Sequence, residues 1–305
     1  MKRTNFFSFL LLIVSMLFSF SSQGQDDLLK QLEKQAPTEN EKVIATFKGL
    51  KLVNLQSNET IKKKNLDFRI SHLFGNVGQE SGGGFHNLWG LDNAFDIRIA
   101  FHYGITDRLN VGFARHKRDE NLVGDIKYKV LEQTENNKMP VSLTVFGDMA
   151  VTPKEDPTLT KTAYRITYVA EAIIARKFSS RISFELVPSY LHRNLVSAGD
   201  QNDIFSLGIG GRWKFTRSAA IVADYVYSFG RPDSVSVGSA PAKLYDPLGI
   251  GLEIETGGHI FTVMFTNGSG ILENDYIANT TDSWSKGGYK LSFHISRIFK
   301  LGKNK

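Results

Sequence analysis

From Leu66 to Phe299 the chain alternates apolar and polar residues with a period of two. Leu66, Phe68 and Ile70 take turns with Asp67, Arg69 and Ser71. Phe95, Ile97, Ile99, Phe101 and Tyr103 do the same with Asp96, Arg98 and His102. Alternation of this length marks a strand with one apolar and one polar face. Beyond 66–75 and 91–103 the pattern returns near 109–116, 123–132, 140–151, 162–176, 181–192, 203–214, 219–229, 247–256, 260–267 and 287–299. It predicts twelve strands.

The connections sort by length. Gly104 to Arg108, the Asn136-Asn137 region, Lys177 to Arg181, Phe215 to Arg217 and Thr256 to His259 are short. The segments 76–90, 117–122, 152–160, 193–202, 230–246 and 268–286 are longer and rich in Gly, Asn, Asp, Ser and Pro. Short turns at one end and long loops at the other are expected of an all-β, closed, antiparallel up-and-down transmembrane β-barrel of about 12 strands, here over 65–305. A soluble sandwich also alternates, so the occupants of each face decide between them. The polar face carries charge deep inside strands, at Asp67, Arg69, Asp96, Arg98, Lys127, Lys129, Glu171, Glu185, Arg212, Asp224 and Glu253. These eleven are the predicted lumen-lining residues. The apolar face is aromatic toward its ends, with Phe101, Tyr128, Tyr190, Trp213, Tyr227, Tyr289 and Phe299 among others. Two aromatic girdles around an apolar belt suit a lipid-facing surface. Closure also removes strand edges that would strand unpaired amides in lipid.

The N-terminus differs. Lys2 and Arg3 precede an apolar run from Phe6 to Phe20, and Ser22 and Gly24 stand three and one residues before the expected cut. This is the pattern of a secretory signal peptide over 1–24, and the run is short for a spanning helix. Residues 25–64 are expected to form a periplasmic N-terminal segment outside the main body: a short helix at Asp26 to Gln35, ended by Pro37, then a strand or plug. The Lys62-Lys63-Lys64 run reads as a solvated turn.

Composition narrows the chemistry. The 305 residues contain no cysteine, which excludes disulfides, thiolate metal sites and a lipidated Cys. Net charge is +6, falling to +4 when 1–24 and their two cations are removed. That excess is too small and scattered for a nucleic-acid partner. Apolar residues at 41% argue against disorder.

Four stretches carry a family resemblance: Asn54 to Ser57 (NLQS), Leu66 to Gly75 (LDFRISHLFG), Trp89 to Asn93 (WGLDN) and Tyr103 to Arg108 (YGITDR). Across Val43 to Phe299 the chain resembles a Gram-negative outer-membrane β-barrel family of unassigned function, an uncharacterised β-barrel domain family. The resemblance implies a fold and a bacterial outer-membrane location, and brings no catalytic residues. The last strand, Tyr289 to Phe299, looks like the signal read by the outer-membrane assembly machinery, although Lys300 to Lys305 trail after it. Outer-membrane lipid and lipopolysaccharide are the other expected partners.

No cofactor is expected. The histidines lack ligand spacing, although His102 and His294 are placed to meet across a lumen. Ser81 to Gly84 and Gly208 to Gly211 are glycine clusters without the strand-to-helix context of a phosphate loop, so they read as a mobile loop and as a kink or close packing in the lumen. A hydrolase would need a Ser–His pair, yet Ser71 and His72 are strand neighbours and face opposite ways. Glu171 and Glu185 are expected to come close across one hairpin.

The resulting expectation is a passive pore for small hydrophilic solutes. The alternative is a plugged structural or docking barrel serving a periplasmic or surface partner; an outer-membrane hydrolase ranks third. Both mature termini are expected in the periplasm, with the long loops outward. Asp67 is expected opposite Arg98 and Arg69 opposite Asp96.

Overall fold

The computed structural model describes residues 41–237 and 240–302. The expected signal peptide and the helix expected at 26–35 lie outside these residues. The strands are β1 (Asn65–Asn76), β2 (Ala94–Gly104), β3 (Leu109–His116), β4 (Leu122–Leu131), β5 (Ser142–Val151), β6 (Ile166–Lys177), β7 (Ile182–Arg193), β8 (Asp203–Lys214), β9 (Ala219–Phe229), β10 (Ser234–Val237), β11 (Ala240–Lys243), β12 (Leu248–Thr256), β13 (His259–Thr266) and β14 (Lys290–Lys300). Twelve of them close into an antiparallel barrel in which each pairs with its chain neighbour, β9 with β12, and β14 with β1. β10 and β11 form a separate hairpin within the long loop between β9 and β12, where no strand was predicted. The strands predicted from 91 and 162 begin a few residues later, because Phe85–Gly90 and Thr162–Arg165 coil into short 3-10 turns.

Alternation sets the two surfaces. Along β7, Ser183, Glu185, Val187, Ser189, Leu191 and Arg193 are buried, while Ile182, Phe184, Leu186 and Pro188 are exposed. Exposed outward aromatics gather at both ends: Phe101, Tyr128, Phe184 and Trp213 at the short-turn end, Tyr168, Phe205, Tyr227 and Phe229 at the other. An apolar exterior this large has no place in water; closed backbone pairing and aromatic rims are what a bilayer requires.

The register of the first hairpin departs from expectation. Asp67 lies opposite His102, Arg69 opposite Ala100, Ser71 opposite Arg98 and Leu73 opposite Asp96, so neither predicted ion pair forms. Pairing runs from Leu66–Tyr103 at the short-turn end, which sets Phe68 against Phe101 with ring centroids 5.0 Å apart. Small Ala100 opposite Arg69 leaves the guanidinium free to turn to Asp67 of its own strand, 3.4 Å away.

The segment before β1 lies inside the barrel. Phe47, Leu50, Leu52, Val53, Leu55 and Ile61 are all buried, so of the two forms expected for this stretch, strand or plug, the described part from residue 41 takes the plug, inside the barrel rather than outside the main body. Lys62, Lys63 and Lys64 are exposed at the turn into β1. The 268–286 loop, expected to face outward with the other long loops, lies at the long-loop end but does not stay at the rim. It carries a helix, α1 (Glu273–Asn279), with Ile271, Leu272, Tyr276, Ile277 and Ala278 buried.

Candidate functional site in the barrel lumen

All eleven charged residues singled out from the sequence occupy inward positions, and all but the half-buried Lys129 are fully buried. Arg212 Nε donates to Glu253 Oε1 at 2.7 Å. His102 stands between Asp67 (3.7 Å) and Asp125 (3.4 Å). Asp96 lies 3.4 Å from His116 Nδ1 and accepts the backbone N–H groups of Arg118 and Ile271. Lys129 is 3.8 Å from Glu59. Glu171 and Glu185 are not brought together: the register sets Glu171 opposite Ser189, whose hydroxyl donates to it, and Glu185 opposite Ala175. Nor do His102 and His294 form a pair, since His294 Nε2 faces the Val53 carbonyl at 3.1 Å. Among the described residues no three His, Asp or Glu side chains converge as metal ligands do.

The lumen is occupied by the chain's own N-terminal side. Residues 50–57 form a small hairpin in which Lys51 bridges Gln56, the Leu52 N–H donates to the Leu55 carbonyl at 2.9 Å, and the Ser57 N–H to the Leu50 carbonyl at 2.9 Å. The turn points its successive N–H groups one way, a concavity that suits an anion. Asp224 of β9 fills it. Its Oδ2 accepts from the N–H groups of Val53 (3.0 Å), Asn54 (2.6 Å) and Leu55 (3.0 Å), and its Oδ1 from Asn54 Nδ2 (2.7 Å). Lys127 of β4 reaches the hairpin's other side, donating to the carbonyls of Leu50 and Ser57 and to Gln56 Oε1.

Glycines make room for this hairpin. A Cβ at Gly208 of β8 would lie 2.5 Å from a methyl of Leu55, and one at Gly249 of β12 would lie 2.4 Å from Val53 Cγ1. The close-packing reading of Gly208 to Gly211 therefore has its cause in the plug. At the short-turn end the segment is tied to the wall by Asn110, which exchanges hydrogen bonds with the Ile61 backbone, and by Asp107, which accepts from the Lys63 N–H.

From the long-loop end, α1 descends to meet the plug. Lys51 Nζ donates to Glu273 Oε1 at 2.7 Å and to the Ile271 carbonyl at 3.0 Å, and Gln56 Nε2 donates to the same carboxylate oxygen. The Ser228 hydroxyl and Arg231 both donate to the Ile277 carbonyl near the end of α1. Tyr276, Ile277 and Leu55 pack on an apolar sector of the inner wall formed by Val169, Ile173, Val187, Leu191, Ile204 and Val226.

Sequence reasoning placed the wall's charges and missed their partners: Lys51, Asn54, Gln56 and Glu273. A signal was present. Inward positions of β8 and β12 carry Gly208, Gly210 and Gly249, and those of β6 and β7 carry Val169, Ile173, Val187 and Leu191. A water-filled lumen asks for neither.

The closed antiparallel wall, the apolar exterior and the charged, filled interior define a membrane-spanning β-barrel. The chain belongs to the family described as membrane bound beta barrel domain, DUF5777, whose model matches residues 47–299 and so takes in the lumen hairpin as well as the strands. No curated protein matches the chain. Among solved structures it is similar to an outer membrane channel from Pseudomonas putida F1, COG4313 (12% identity, TM-score 0.46, covering 79% of this chain and 98% of that one). It is also similar to the KdgM porin (7%, 0.43, 78% and 99%) and the NanC porin (7%, 0.42, 76% and 98%). These likenesses are of barrel architecture and bring no solute or mechanism with them.

Proposed function

We propose that the protein is a gated pore of the bacterial outer membrane, closed in this structure by residues 42–61 from the short-turn end and by α1 from the other. The reading rests on one observation: the turn of the hairpin gives three successive backbone N–H groups to one wall carboxylate, Asp224, in a lumen where other polar side chains lack a hydrogen-bond partner. Both oxygens of Glu185, Asp148 Oδ2 and Arg98 Nη1 are buried with no protein partner. Burying polar groups without hydrogen-bond partners is costly, and a wet path beside the plug would supply those partners. With the plug withdrawn, β1–β4 and β12–β14 present both signs of charge. Concentration of one sign at a constriction would make a selective filter; this mixture suits small hydrophilic solutes without strong charge preference. The short turns would face the periplasm, and the last strand, β14, would be the part read by the assembly machinery.

A second reading, a plugged structural or docking barrel, is favoured by the meeting of the two plugging segments at Lys51 and Glu273. The native chain has no thiol, so the two readings separate cleanly with Leu55→Cys plus Gly208→Cys. A Cβ at 208 lies 3.3 Å from Leu55 Cγ, the place that a sulfur introduced at position 55 would take, and disulfide geometry fits that spacing. In planar bilayers the reduced protein is expected to open, and oxidation to abolish the openings. A reduced protein that never conducts, even with the Asp224 clamp removed, would reject the pore and leave the docking barrel.

A further inference from the structure

The wall of the barrel is interrupted between β6 and β7. Pairing holds at Glu171–Ser189 and again at Ile174–Leu186, but is absent for the two positions between. Pro188, opposite Ala172, has no N–H, so the Ala172 carbonyl loses its ladder donor halfway along two twelve-residue strands. Proline is ordinarily kept out of central strands, and an unpaired carbonyl in lipid is costly.

On the lipid side of this break lies a groove of about 420 Å³. Its outward lining is Val145, Ala170, Ala172, Pro188, Tyr190 and Phe205. It exists because two alanines stand between larger neighbours, with the Tyr190 and Phe205 rings 5.1 Å apart forming one bank. Behind it, Val169, Ile173, Val187 and Leu191 face the lumen and pack on Leu55 and Tyr276, with the hydrogen-bonded Glu171 and Ser189 between them.

We propose that this groove is a lateral binding site for one acyl chain of a bilayer lipid, drawn from the leaflet at the long-loop end. The occupant follows from position. A twelve-residue strand, tilted as barrel strands are, crosses the roughly 30 Å hydrocarbon layer, so its middle lies among chain termini and beyond the reach of headgroups. The groove opens onto that layer, and its floor includes the inward residues Phe146, Glu171 and Ser189. Tyr190 and Phe205 sit near the long-loop ends of β7 and β8, which carries the groove toward that leaflet. The proposal is independent of whether the lumen conducts.

The test uses the full chain in phosphatidylcholine vesicles doped with a phosphatidylcholine bearing a diazirine near the end of one chain. After irradiation, adducts are mapped by mass spectrometry. Labelling at 170–172 and 188–190 is expected to exceed that at Ile70 and Ile295, paired outward residues of the opposite wall, several-fold. Ala172→Phe fills the groove and is expected to bring it down to the opposite-wall level. Should that variant fail to show the gel-mobility shift of a folded barrel, Ala170→Leu serves in its place. Equal labelling of both walls in the native protein, or unchanged labelling in a folded groove-filling variant, overturns the site. A probe with its diazirine beside the headgroup is expected to miss 170–172; labelling there as strong as with the chain-end probe also overturns it.

Discussion

Removing the Asp224 carboxylate is the most direct perturbation of the closed state. Asp224→Ala deletes the acceptor of four hydrogen bonds, three from consecutive backbone N–H groups and one from Asn54 Nδ2. A hydrogen bond to a charged group contributes about 1.5–3 kcal/mol net. Three of these share one oxygen, so they do not add in full. Each buried N–H donor left unsatisfied costs about 1–3 kcal/mol, and with partial relaxation of the turn about 3–5 kcal/mol for the group is the better guide. At about 1.4 kcal/mol per decade it shifts the ratio of plug-in to plug-out by roughly a hundred- to a few-thousand-fold. The plug-out state can hydrate the freed N–H groups, and the plug-in state of the variant cannot, so the shift favours opening. Single-channel recording reads it as open probability. Asp224→Asn keeps one acceptor oxygen and is expected to fall between the two. An Asp224→Ala protein that shows the folded-barrel gel shift and an open probability equal to the native one would refute the clamp.

Other consequences follow from the same contacts. Lys51→Met leaves Glu273 buried with only Gln56 as donor and is expected to destabilise the closed barrel by about 3–5 kcal/mol, seen as a lower temperature of gel-shift loss; adding Glu273→Gln should recover much of it. Gly249→Val drives a side chain into Val53 and is expected to expose 50–57 to protease, whereas Gly124→Ala, whose Cβ meets nothing within 4 Å, should leave cleavage unchanged. At the short-turn rim, partial burial alone would raise the Glu132 carboxyl, but hydrogen bonds and charge from Lys42 and Arg108 outweigh it and hold it below the ordinary glutamate range. A depressed folded-state value means that this anchor contributes above the ordinary glutamate range and is lost as pH falls through the depressed value. Below about pH 4 protease sensitivity near Lys42 should rise, and Glu132→Gln should remove that dependence. Tags placed at 271–277 are expected to be shielded from surface labelling, because this stretch of the last long loop turns into the lumen.

Alternation of side chains is a local property of extended backbone, and so the sequence by itself determined which residues face in. The strand count, the lipid-facing belt with its aromatic ends, and the inward placement of Asp67, Arg69, Asp224 and the other charges all follow from a period of two that the pleat imposes on any strand. The register of β1 against β2 was decided by tertiary structure, because Phe68 can meet Phe101 or Ile97 with equal local sense. Contacts at the closed short-turn end selected the former. The filling of the lumen was equally out of local reach. The N–H groups of 53–55 find Asp224 about 170 residues away, and Lys51 finds Glu273 some 220 residues away. The mixed alternation of Val43 to Leu55 left strand and plug both open, because these residues take their shape from the cavity around them. Inward Gly208 and Gly249 record that shape in the sequence, but a missing side chain shows what it makes room for only once the neighbour is in place.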